Sequence, residues 1–180
     1  MSVSAQITDN ALAMYSTSDA AEDAITVLMN RGHAIRKISV LGCLPIQVES
    51  DSGYIDLAEK VWAWGSYGAF WHFAWHYLGG SAVTGSGIGV KILSAGYFAS
   101  LLKVQKAFTD RNVLEQTFRS LHIDDQDISP YIEELSDGHF LVIAHGTDVE
   151  AENAATIFER TLAGKIGIYS DPIVRYLKHV

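Results

Sequence analysis

The amino-acid sequence predicts an α+β fold in which two β-α-β halves flank an apolar helical insert. Three observations predict it. Two segments about 130 residues apart repeat the same order of apolar run, polar cap, alanine-rich stretch and Lys-Ile run. Within each segment the hydrophobic period switches from that of a strand to that of a helix and back. Between them lie roughly a hundred residues, too many for a plain loop, and much of that stretch is uncharged.

In the first half, Leu12–Tyr15 is a short apolar run of strand length. Ser18 and Asp19, with Glu22, follow as capping residues, and Ala21, Ala24, Ile25 and Leu28 place an apolar stripe on one helical face. Gly32 stands where that helix ends, and Lys37–Leu41 is the next strand. The second half repeats this order. Phe140–His145 is its first strand, and Thr147 with Glu150 forms a Thr-x-x-Glu capping box. Ala151, Ala154, Ala155, Ile157 and Phe158 form the stripe, Gly164 the stop and Lys165–Tyr169 the last strand. The cores AEDAIT (Ala21–Thr26) and AENAAT (Ala151–Thr156) make the repeat explicit. Two units so related predict a ferredoxin-like split βαβ sandwich.

The insert follows different rules. No residue from Val61 to Val90 carries a full charge, and Ile92–Leu102 is again uncharged after Lys91. Gly79-Gly80 and TGSGIG (84–89) punctuate the region, which predicts a hairpin of two apolar helices over about 57–78 and 88–108. Asn112–Leu121 is amphipathic, the acidic stretch His122–Asp127 reads as a solvated helix end, and Ser129-Pro130 predicts a break. The expected organisation is one composite domain: a first half over 1–50, the insert over 51–135 and a second half over 136–180.

Bulk properties narrow the function classes. A chain of 180 residues is long enough to bury a real core, and its apolar fraction of 48% is ordinary. A net charge of −8 argues against nucleic acid as a partner, since that footprint is basic. The single cysteine, Cys43, excludes an internal disulfide and reads as a structural thiol. The start MSVSAQITDN lacks the basic and apolar regions of a secretion signal. The cytoplasm is the expected compartment, with association at the inner membrane left open.

Each arm of the expected hairpin approaches the ~20 residues a bilayer needs. Lys91 falls inside the second arm, however, and Trp62, Trp64, Trp71 and Trp75 run along the first instead of bracketing it. Burial against other copies of the chain explains the same apolarity. The expectation is therefore a homo-oligomer, with Trp64, Phe70, Trp71, Trp75 and Leu78 carrying assembly.

The stretches YSTSDAAEDAI, KISVLG, VWAWGSYGAFW and HFLVIAHGTDVEAENA together resemble the bacterial general-stress-protein family of unknown function. That resemblance implies a ferredoxin-like domain carrying a glycine-zipper hairpin, a link to stress or envelope adaptation, and no established catalytic residues. The chain departs from the pattern at His72 and His76, which stand where the family carries small glycines, and at the bulky Phe73. Bulky rings there remove the close helix approach on which a zipper depends.

His72 and His76, four apart within FWHFAWHYL, are neighbours on one helical face and so are candidate ligands for a divalent metal or haem. A third ligand is missing from that helix, because no Asp or Glu follows Glu59 on it. Core histidines bonded to nearby hydroxyls are the plainer alternative. His145 and Gly146, just before a helix, are a weak candidate anion site. TGSGIG follows an apolar helix and precedes no Gly-Lys-Ser/Thr, so it reads as a turn and not a phosphate loop. No Ser-His-Asp, paired-carboxylate or Cys-x-x-Cys spacing stands out. The sequence therefore predicts a non-enzymatic, self-assembling scaffold or stress-related protein, with metal or haem binding as the alternative.

Overall fold

In the computed structural model, the described residues are 7–43, 66–85, 90–104 and 111–172. The first half forms β1 (Asp9–Tyr15), α1 (Ser18–Asn30), a short 3-10 turn and β2 (Ile38–Cys43). The insert contributes α2 (Ser66–Leu78), β3 (Ser81–Gly85), β4 (Lys91–Gly96), α3 (Tyr97–Val104), α4 (Arg111–Ser120) and α5 (Asp125–Ser136). The second half closes the chain with β5 (Phe140–Gly146), α6 (Asp148–Glu159) and β6 (Lys165–Ser170).

The fold is α+β. Its six strands form one sheet in the order β3-β4-β2-β5-β1-β6, with every neighbouring pair antiparallel. Each β-α-β half leaves a one-strand gap and the other half fills it: β5 lies between β1 and β2, and β1 between β5 and β6. The central pair is buried along its whole length, which is why ALAMY and FLVIAHG read as continuous apolar runs and not as alternation.

The helices form where their caps and stripes place them. Thr147 and Glu150 make the reciprocal capping box of α6, while the cap of α1 is Thr17, one residue before the expected Ser18. Ala21, Ala24, Ile25 and Leu28 of α1, and Ala151, Ala154, Ala155 and Phe158 of α6, are buried against one face of the sheet. The helix α2 joins them there through Phe70, Trp71, Ala74 and Leu78. The opposite face is covered by α3, α4 and α5, with Phe98, Phe118, Tyr131 and Ile132 packing on Leu12, Leu41, Ile92 and Ile143. The result is three layers.

The insert departs from the expected helical hairpin. Residues 81–85 and 91–96 are strands, and only Tyr97–Val104 of the expected second arm is described as helix. The reason lies at β2, whose outer edge is completed by β4 with Cys43 opposite Ile92. A strand sealed on both faces is as uncharged as a buried helix, so apolarity alone does not separate them. Gly96 makes the strand-to-helix turn possible. Its φ is +88°, and a Cβ there would collide with the Ile38 carbonyl oxygen. Ser129-Pro130, expected to break the chain, lies inside α5. Residues 57–65, 86–89 and 105–108 of the expected hairpin lie outside the described residues. Among the described residues no helix is long and apolar enough to cross a membrane.

Candidate functional site

A polar row crosses the three central strands at one end of the otherwise apolar face under α3–α5. Asn10 of β1 and His145 of β5 are directly opposite in register, and Ser39 of β2 lies on the far side of His145. All three are fully buried. His145 Nδ1 lies 2.6 Å from Asn10 Oδ1, and its Nε2 lies 2.7 Å from Ser39 Oγ. Ser39 Oγ accepts the Phe98 backbone N–H at 2.8 Å, and Asn10 Nδ2 donates to the Leu121 carbonyl at 2.8 Å.

These partners fix the direction of every bond. With its Nδ2 directed to a carbonyl, Asn10 must present its oxygen to the imidazole, so His145 carries its proton on Nδ1. Nε2 is then an acceptor and takes the Ser39 hydroxyl proton. The relay therefore runs Phe98 N–H, Ser39, His145, Asn10, Leu121 C=O, with every polar side-chain atom along it engaged. It ties the start of α3 and the α4–α5 connection to the centre of the sheet.

The electrostatics agree with a neutral ring. Complete burial, with a smaller contribution from His33, holds the His145 imidazolium pKa at about 3. The Tyr97 ring stands edge-on to it at 4.9 Å. His33 Nε2 faces two carbonyl oxygens, those of His145 at 3.0 Å and Lys37 at 3.2 Å, so it donates there. Lys37, nearly buried, pairs with Glu150 at 3.1 Å. Burial pushes the Glu150 carboxyl up, but the Thr147 N–H and the Lys37 ammonium outweigh it and leave the pKa below the ordinary value.

Ser39, His145 and Asn10 follow the order of a nucleophile, base and orienting residue. Their chemistry is different. A nucleophile must reach a substrate, whereas Ser39 and His145 have no exposed surface and their polar atoms are engaged within the chain. The row is a structural lock. It also removes His145 as an anion donor, and the expected anion position beyond Gly146 is taken by the chain itself. Glu150 Oε1 accepts the Thr147 N–H at 3.0 Å, and a Cβ on Gly146 would meet the Glu150 side chain at 2.9 Å.

No protein-family model matches the chain, and no curated protein matches its sequence.

His72 is half-buried, with its ring edge-on to Trp75, and His76 is exposed against Tyr77 at 4.9 Å. Among the described residues, no group of three or more His, Cys, Asp or Glu side chains is placed to hold a metal ion. Phe70, Trp71 and Leu78 are buried in the chain's own core. Trp75 is half-buried and donates from Nε1 to the Ser94 carbonyl at 3.3 Å. Trp64 lies outside the described residues. Burial raises the Cys43 thiol pKa, as suits a structural cysteine. Thr84 and Gly85 of TGSGIG belong to β3.

The acidic stretch opens a helix: Asp124 precedes α5, Asp125 and Asp127 lie in its first turn, where their charge suits the helix dipole, and Asp127 accepts the Tyr169 hydroxyl at 2.8 Å. The relay was harder to read from sequence. Asn10 and Ser39 are single polar residues inside strand-like runs, a signal that marks each position without pairing them.

Proposed function

We propose that the chain is a non-enzymatic scaffold domain of ferredoxin-like topology that self-associates through its β6 edge. The topological reading is supported by the order β2-β5-β1-β6 with α1 and α6 on one face, the insert adding β4 and β3 beyond β2. The non-enzymatic reading is supported by the closed Ser39–His145–Asn10 relay. The resemblance to the general-stress-protein family adds a role in stress or envelope adaptation to the same proposal.

One observation carries the assembly. Both sheet faces are covered by helices, whereas the outer side of β6 pairs with no strand among the described residues. Natural edges are blunted by charge, proline or a bulge. Here Ile166–Ser170 carries no charge and no proline, and the ammonium of Lys165 sits over the Tyr131 ring at 4.4 Å. Ile168 within the open strand is 39% exposed, and Leu162, just before it, is 84% exposed. Two such edges placed antiparallel extend the sheet across a two-fold axis and close a homodimer.

Light scattering on a sizing column tests this directly. The wild-type mass should be twice 19.7 kDa, and Ile168→Lys, which puts a charge on the strand, should return it to the single-chain value. A monomeric wild type, or an oligomer indifferent to Ile168→Lys, would defeat the proposal. The rival reading, metal or haem on His72 and His76, draws no third ligand from the described residues.

A further inference from the structure

The helices α1 and α6 lie side by side on one face of the sheet, and a groove of about 560 Å³ opens along their C-terminal halves. Small-molecule sites span about 300–1,000 Å³, a range that includes this groove. Arg31 and Arg160 line it, each the C-cap residue of the corresponding helix of its half. The internal symmetry of the fold thus brings two guanidinium groups to one cleft.

Both arginines are exposed, and neither makes a side-chain hydrogen bond or ion pair among the described residues. Among the described residues no carboxylate lines the groove, although the chain as a whole carries a net charge of −8. Asn153, also lining it, keeps its side-chain amide similarly unengaged among the described residues. Thr161 offers no proton: its hydroxyl donates to the Phe158 carbonyl at 2.6 Å and accepts from Tyr15 at 2.7 Å. Val27 and Ile157, both half-buried, supply the apolar part of the lining.

We infer that this groove binds a small organic phosphate, its dianionic group held between Arg31 and Arg160 with Asn153 as a third donor, and its apolar body on Val27 and Ile157. Guanidinium forks match phosphate oxygens two at a time, and a dianion satisfies both forks at once. The two helix C-termini oppose an anion, each with about half an elementary charge, but each is offset by the full charge of its own C-cap arginine. The inference is independent of the β6 edge, which lies outside this groove.

Isothermal titration calorimetry of the full chain with phenyl phosphate as the probe tests it. The expected result is saturable binding at one site per chain, with inorganic phosphate, which lacks the apolar body, at least about tenfold weaker. Arg31→Ala and Arg160→Ala should each weaken phenyl phosphate about tenfold or more, while Arg36→Ala, outside the groove, should leave it unchanged. Asn153→Asp, which keeps both arginines but adds a carboxylate, should weaken it in the same direction. Absence of saturable binding to the wild type, or equal binding by the wild type and the Arg31→Ala and Arg160→Ala variants, would overturn the inference.

Discussion

Replacing Ser39 with alanine removes one oxygen and strands two buried groups. That oxygen gives its proton to His145 Nε2 at 2.7 Å and receives the Phe98 N–H at 2.8 Å. Alanine does neither, and Ser39, His145 and Phe98 are all fully buried, so water does not substitute. Each buried polar group left without its partner costs about 1–3 kcal/mol. The two together set an expected loss of about 2–6 kcal/mol, a large part of the roughly 5–15 kcal/mol that holds a domain folded. Urea unfolding followed by circular dichroism reads the loss as a lower midpoint at unchanged slope. His145→Leu breaks the same relay from the middle. The double variant should therefore lose less than the sum of the two single losses, because the Ser39–His145 bond is counted in both. A Ser39→Ala loss below about 1 kcal/mol, or strict additivity with His145→Leu, would refute the relay.

Stability should also fall as the solution is acidified. The His145 ring stays neutral in the fold down to about pH 3 but takes up a proton near 6.5 once unfolded. Below about 6.5 the unfolded chain therefore binds more protons. The contribution of the neutral ring, complete above that pH, drains away toward pH 3 and amounts to about 2 kcal/mol by about pH 5. His33, also lowered chiefly by burial, adds the same sign, whereas Glu150, lowered from 4.5, matters only in more acidic solution. Urea midpoints measured from about pH 7 to 5 should slope, and His145→Leu should flatten most of that slope; a flat wild-type profile would contradict a neutral buried ring. Within FWHFAWHYL the two residue types should separate cleanly. Trp71→Ala, which empties a fully buried site beside Phe70 and Phe140, should cost about 3–5 kcal/mol, while exposed His76→Ala should stay within about 0.5 kcal/mol by the same denaturation assay.

The two β-α-β halves were legible in the sequence because their signals are local. A capping box at Thr147 and Glu150, an alanine stripe four residues deep and a central strand sealed on both faces each appear within a dozen residues. The repeat added the relation between the halves. The insert was legible only as apolar. Ile92–Ala95 lies between two layers of helices, and complete burial erases the alternation that distinguishes a strand from a helix. Gly96 alone marked the turn, through a left-handed φ that the sequence does not announce.

By itself, then, the sequence determined which residues leave water and where most of the elements begin, since periodicity and caps act over one or two turns of chain. Tertiary structure alone decided the partners. Trp71 packs under the chain's own Phe140 and Phe70 because α2 folds back onto the sheet beside α1. Asn10 and Ser39 meet His145 only through strand register, across separations of 135 and 106 residues. Arg31 and Arg160 share a groove for the same reason: two helices distant in sequence become neighbours once the halves interleave.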